Sequence, residues 1–186
     1  MSDIPGHSGG AEHETGGLAP VFLDFSARKL RQLASRIETC LDELNEEQVW
    51  ARGGENENAI GNLVLHLCGN VRQWIVAGVG GRPDVRERDA EFAARGGPGI
   101  PELSQRLRTT VADAVAVFDA VTPERLAEHV AIQQYDVGVL EAIYHVVEHF
   151  SMHTGQIISA TKMLTGADLG FYRHLRTAPV HEEKTP

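Results

Sequence analysis

The chain has 186 residues, 42% of them hydrophobic, so it is long enough to form one globular domain with a real core. Its 17 Lys and Arg against 26 Asp and Glu give a net charge of -9, which argues against a nucleic-acid backbone as the main partner, because phosphate binding depends on clustered Lys and Arg. No apolar run reaches the roughly 20 residues that cross a bilayer. The two cysteines, Cys40 and Cys68, form no disulfide framework, and we expect no membrane span and a cytoplasmic location.

Four long segments carry apolar residues at helical spacing, and little of the chain alternates with the period of two that a half-buried strand shows. The predicted helices cover about 22–44, the stretch from an N-cap at Asn58 to the glycines at 78–81, Pro101 to Phe118, and the stretch from Asp136 to Leu164. The sequence therefore predicts an all-α domain over 20–165. We expect a disordered lead-in over 1–19 before it, and after it a tail, 166–186, that either packs on the helices or is flexible.

The connection between the second and third predicted helices, residues 79–100, is long, charged and bounded by glycines. Connections of this length in compact domains are often functional or disordered. Its arginines could meet an anionic substrate if the connection folded over a site, but acidic residues alternate with them. The residues concerned are Arg82, Arg86, Arg88 and Arg95, with the acids Asp84, Glu87, Asp89 and Glu91. The alternation favours a solvated surface of mixed charge, so the sequence assigns this connection no role.

The fourth predicted helix contains His145, His149 and His153 at intervals of four residues. Residues i and i+4 share one face of a helix about 6 Å apart along its axis, so two neighbouring imidazoles can bind one ion. Three such imidazoles cannot all bind one ion. The outer two are separated by roughly 12 Å of rise, whereas a Zn–N bond is only roughly 2.0–2.1 Å long. On a helical wheel His149 and His153 flank the apolar face, whereas His145 faces mostly outward. The sequence therefore predicts His149 and His153 as a metal-binding pair.

A metal site that is open to substrate usually has three protein ligands, so this pair needs a third group. His66 is the best candidate, because it lies at the edge of the apolar stripe of the second predicted helix. Asn70 and Trp74 continue the same flank one and two turns further on, and Gln156 lies on the corresponding flank of the fourth helix. We expect these three residues to line the pocket or to contact the ligands. Taken alone, each histidine is better explained as a polar or hydrogen-bonded residue at a helix edge.

Two segments, NAIGNLVLHLCGNVRQWI with His66 and HVVEHFSMHTGQI with His149 and His153, resemble the DinB-like superfamily of small metal-binding helix bundles, which includes thiol-dependent S-transferases. Together with the helix order, the resemblance covers about residues 20–165. It implies a four-helix bundle of up-down-down-up topology, with parallel second and third helices across a long connection, and frequently a homodimer. It also implies that His66, His149 and His153 hold a divalent metal ion.

Three neutral imidazoles leave zinc or nickel its full positive charge, so the ion would lower the pKa of bound water toward about 7 or hold a thiol as thiolate. By analogy with the superfamily, the preferred hypothesis is a transferase in which a metal-bound, low-molecular-weight thiol attacks an electrophilic small molecule. Two alternatives stay open. One is a hydrolase that uses metal-bound hydroxide, for which the sequence offers no clear general base; the other is a non-catalytic, dimeric metal-binding protein.

Overall fold

The computed structural model describes residues 17–176 and consists mainly of helices. In chain order the α-helices are α1 (Leu18–Asp42), α2 (Glu46–Val49), α3 (Ile60–Val71), α4 (Arg88–Ala93), α5 (Ile100–Ala120) and α6 (Val139–Thr165). Helix α3 continues directly into a π-helical stretch, Arg72–Val79, and short 3₁₀ turns occupy Arg125–Ala127 and Arg173–Arg176. The strands β1 (His129–Ile132) and β2 (Tyr135–Gly138) form an antiparallel hairpin.

The core lies between the four long helices. Helix α1 packs against α5 and α6, and α3 packs against the same two helices. Each helix turns one apolar face inward, as the spacing of its apolar residues requires. Core side chains with at most 2% of their surface exposed include Leu30, Ile37, Leu67, Leu107, Phe118, Ile143 and Phe150. The prediction of a mainly helical domain is thus confirmed.

Three details differ from the sequence prediction. Helix α1 begins at Leu18, before the predicted start and inside the predicted lead-in; residues 1–16 of that lead-in lie outside the described residues. The N-cap of α3 is Ala59 rather than Asn58, because the backbone N–H of Ala59 donates to Oδ1 of Asn62 at 3.1 Å. The hairpin was not predicted, since strands of four residues are too short to establish a period-two pattern.

The hairpin packs against the end of the π-helical stretch. Ile132 of β1 is buried there, and a Cβ at Gly78 would overlap its side chain. The contact therefore requires glycine at position 78, which lies inside the last helical turn rather than at the helix end. The chain then leaves the helix through Gly81, whose φ is 71°. This arrangement brings β2 beside the helix flank that carries the predicted site residues.

The described part of the tail returns to α1. Leu169 is buried, and the guanidinium of Arg36 lies 5.5 Å from the ring centroid of Phe171 and 5.3 Å from that of Tyr172. These contacts place residues 169–172 on the helices; 177–186 lie outside the described residues. Within residues 17–176, no helix is both long enough and apolar enough to span a membrane.

Candidate metal centre

Three imidazoles meet between α3 and α6. Nε2 of His149 lies 3.2 Å from Nε2 of His66 and 3.1 Å from Nε2 of His153. The three rings offer ligand atoms that all lie within 4.8 Å of one another. Two ligands of a tetrahedral ion with bonds of roughly 2.0–2.1 Å would lie roughly 3.3–3.4 Å apart. Two of the three nitrogen pairs therefore lie close to the spacing of ligands on one ion, and the third ligand atom is near enough to join them.

The outer nitrogens of two of these rings have oxygen partners. Nδ1 of His66 lies 3.0 Å from Oε2 of Glu91, and Nδ1 of His153 lies 2.7 Å from Oε1 of Gln156. An oxygen acceptor places the proton on Nδ1, which leaves the Nε2 lone pair free for an ion. Nδ1 of His149 is buried and has no hydrogen-bond partner among the described residues.

The electrostatics of the cluster favour neutral imidazoles. Burial, and after it the positive charge of His153 and His66, lowers the pKa of His149 to about 3. Burial also lowers the pKa of His153, against the opposing effect of its hydrogen bond with Gln156. Since a metal binds the unprotonated ring, both residues are held at neutral pH in the form that can ligate.

A buried ion pair from the linker holds the outer side of His66. Nε of Arg86 donates to Oε1 of Glu91 and Nη2 donates to Oε2, each at 2.8 Å, and the two side chains are only 3% and 11% exposed. Burial alone would raise the pKa of Glu91, but hydrogen bonds from Arg86 and His66 outweigh it and keep that pKa low. Arg86 Nη2 also lies 3.0 Å from His66 Nδ1; because both atoms are donors, both direct their protons to the carboxylate.

Residues of α3 and the segment before it fasten the linker in this position. The side-chain amide of Asn62 donates to the carbonyl oxygen of Glu91 at 2.8 Å, and Arg52 donates to that of Ala94, also at 2.8 Å. Nη1 of Arg86 donates to Gln73 in the π-helical stretch at 2.9 Å. The prediction of a solvated mixed-charge surface is therefore wrong for the part of the linker that carries Arg86 and Glu91.

A trough leads away from the three histidines between α3 and α6. Its volume is about 540 Å³, within the range of small-molecule sites. Asn70 and Trp74 line it one and two turns beyond His66. His145 lines the opposite wall, with its ring centroid 4.3 Å from that of Trp74. His145 is thus half-buried against Trp74, in contrast to the predicted outward position, and it stays outside the three-histidine cluster.

Comparison with known families matches residues 18–175 to a family described as "Protein of unknown function (DUF1572)". The chain belongs to this family. A crystal structure described as the conserved protein of a locus from Enterococcus faecalis superposes with a TM-score of 0.68 and 15% sequence identity, over 77% of this chain and 97% of that one. At this identity the likeness establishes a shared fold. None of the curated proteins compared with the chain matches it.

A larger cavity, of about 860 Å³, lies on the other side of the linker, between α3 and α5. Its wall includes Cys68, whose pKa burial raises to about 11. The thiol is therefore protonated at neutral pH and is a poor nucleophile. Arg86 lines both cavities, so the linker separates the larger space from the histidines.

The structure thus brings all six predicted site residues to one region. His66, His149 and His153 form the cluster, Gln156 contacts it from outside, and Asn70 and Trp74 line the trough. Sequence analysis missed Glu91 and Arg86. An acid beside His66 could have been expected, because a ligating histidine usually donates its second N–H to a carboxylate or carbonyl. That rule does not say which of the linker acids is used.

Proposed function

We propose that the protein is a metal-dependent transferase in which His66, His149 and His153 hold a divalent ion, zinc or nickel. The observation that carries the proposal is the convergence of three Nε2 atoms whose rings have their outer nitrogens turned away from the centre. A chance cluster of polar side chains would not need an Nδ1–carboxylate contact that leaves the inner lone pair free. The low pKa of His149 supports the same assignment, because that ring is neutral in the range where a metal would bind.

We further propose the DinB-like four-helix bundle with up-down-down-up topology. Its support is the packing of α1 and α3 against the same two helices, α5 and α6. The ring contacts with α6 also fit antiparallel helices, because His66 of α3 meets His149 while Trp74, in the π-helical stretch that continues α3, meets the earlier His145. The long connection over 80–99 is the one that parallel second and third helices would require.

The proposed reaction transfers a low-molecular-weight thiol to an electrophilic small molecule. A divalent ion at the three histidines would lower the pKa of a bound thiol, so that thiolate is available at neutral pH. The sulfur forms a bond to an electrophilic carbon, the leaving group departs with its electron pair, and the proton of the thiol passes to solvent. The chain's own residues position the ion through His66, His149 and His153, and the trough beside them holds the acceptor.

The surroundings of the cluster favour thiol transfer over hydrolysis. Metal-dependent hydrolysis usually also uses a general acid or base beside the metal, which passes a proton to the leaving group. Glu91 is held by Arg86 and His66, and its low pKa makes it a weak base. Glu148, next to His149 in sequence, is exposed. Glu141 lines the trough but accepts the backbone N–H of Gly138 at 2.8 Å. A thiolate needs no such base once its proton is lost.

The test combines metal content with turnover. Wild type should contain about one divalent ion per chain, and His66→Ala, His149→Ala and His153→Ala should each lose it. His129→Ala is the matched control, because His129 is exposed on the hairpin and pairs with Asp136. Product should form only when both thiol and metal are present. No metal in the wild type after reconstitution would overturn the proposal, and turnover without thiol would show a hydrolase.

Cellular location and assembly form a separate part of the proposal. We propose a cytoplasmic homodimer that acts on a small molecule and binds neither nucleic acid nor membrane. The support is the acidic net charge of -9 and the resemblance to the DinB-like superfamily. Light scattering of the purified chain tests the dimer.

A further inference from the structure

A buried amide oxygen among the residues that line the trough has no hydrogen-bond partner in the described part of the chain. Asn70 is only 4% exposed, and its Oδ1 has no hydrogen-bond partner within residues 17–176. A buried amide without a partner costs free energy, so such groups normally have one. Because Asn70 lines the trough one turn beyond His66, a ligand in the trough can supply that partner. The amide can turn either its oxygen or its nitrogen toward the ligand.

One arginine of the trough wall also lacks an ionic partner. Arg88 lines the trough, and in the part of the chain that the structure describes no carboxylate lies within ion-pair distance of it. Its guanidinium stacks 5.0 Å above the ring of Phe92, and that ring lies 4.6 Å from the ring of His66. Stacking on Phe92 therefore holds this charge near the metal centre. Arg86, by contrast, is neutralised by Glu91.

The far part of the trough is flat and aromatic. Trp74 is 6% exposed and its ring contacts that of His145, while Tyr135 from the hairpin, 60% exposed, lies at the mouth with its ring 6.3 Å from that of Trp74. Faces of this kind suit a planar, apolar body. Among the described residues that line the trough the only acid is Glu141, and it accepts a hydrogen bond from the backbone N–H of Gly138.

We propose that the trough binds the acceptor substrate, and that this substrate is a planar, conjugated carboxylic acid. Its carboxylate lies at Arg88 and hydrogen-bonds the amide of Asn70, close to the three histidines, and its flat body lies along Trp74 and Tyr135. The inference rests on the proposed function, since it names the substrate class of the same site. It does not depend on turnover, because the groups that hold the acid belong to the protein and are present without metal or thiol.

The test is a binding titration followed by the indole N–H resonances of the two tryptophans. Trp74 lies in the trough, whereas Trp50 packs against Gly61 at the other end of α3, so Trp50 is an internal control. The probes are trans-cinnamate and the uncharged cinnamamide, which has the same flat body. Both are titrated into metal-free and zinc-loaded protein without thiol, so that a failed metal site and a failed acid site give different results.

We expect both probes to shift the Trp74 resonance and not that of Trp50, with cinnamate bound roughly tenfold more tightly than cinnamamide, as hydrogen bonds to a charged group usually provide. Arg88→Gln should abolish that preference, and Asn70→Ala should weaken both probes roughly threefold to tenfold. Arg82→Gln, in the same linker but outside the trough, should leave both affinities unchanged. Equal affinity for the two probes, or a preference for cinnamate that appears only with zinc, would overturn the role of Arg88. No shift of Trp74 would overturn the site.

Discussion

Helix α6 and the linker between α3 and α5 serve the same metal centre in different ways. Helix α6 supplies His149 and His153, and their relative position follows from a spacing of four residues on one helix. The linker supplies Glu91, which orients His66 from the outside. Its position depends on contacts with Arg86 of the same linker and with Asn62 of α3. Local geometry therefore sets where the ligand pair lies, whereas tertiary contacts set the orientation of the third ligand.

Removing the charge of Glu91 should have the largest effect on the metal centre. In Glu91→Gln, His66 loses its anionic partner and Arg86 loses its counter-charge. We expect zinc affinity to fall roughly 10- to 100-fold, as is typical when the carboxylate behind a ligating histidine is removed. Competition with a chromophoric chelator measures the affinity.

Glu87→Gln is the matched control for this change, because Glu87 is an exposed acid of the same linker. We expect zinc affinity in this variant to equal that of the wild type. If Glu91→Gln also bound zinc as tightly as the wild type, helix geometry alone would define the site and the linker would have no part in it.

A smaller loss of zinc affinity is expected from replacing Gly69, the glycine that makes room for the Arg86–Glu91 ion pair. A Cβ at Gly69 of α3 would overlap Oε1 of Glu91 and approach Nε of Arg86 to 2.9 Å. Gly69→Ala should therefore displace the Glu91 carboxylate and weaken zinc binding by roughly threefold to tenfold, the usual range for one impaired hydrogen bond.

Gly155→Ala separates this effect from that of replacing glycine in a helix. Gly155 lies in α6, two positions after His153, and a Cβ there would meet nothing within 4 Å. We expect unchanged zinc affinity and a gain in stability of about 0.5–1 kcal/mol from the better helix former. Thermal unfolding and the same chelator competition measure both quantities. Equal zinc affinities for the two alanine variants would mean that Gly69 does not maintain the position of Glu91.

The sequence predicts what depends on periodicity and misses what depends on tertiary contacts. The helices and the places of His66, His149 and His153 follow from apolar stripes with a period of 3.6 residues. The hairpin carries no such signal, because its strands have four residues each. Glu91 and Arg86 could not be identified either, since alternating charge in a linker looks the same whether it is solvated or buried. The half-buried position of His145 depends on Trp74, a residue of another helix.

The buried histidine of α6 should also make the stability of the metal-free protein depend on pH. In the unfolded chain a histidine has a pKa near 6.5, whereas burial and the charges of neighbouring groups lower that of native His149 to about 3. Between these values the unfolded state binds a proton that the native state does not, so stability should fall as the pH drops from about 6.5 toward 3. Measured by Tm from pH 7.5 to 5.0, above the range where carboxylates titrate, the decline should be shallower in His149→Ala and unchanged in His129→Ala, whose ring is exposed. An equal decline in His149→Ala would mean that the buried α6 ring is not the source of the acid sensitivity.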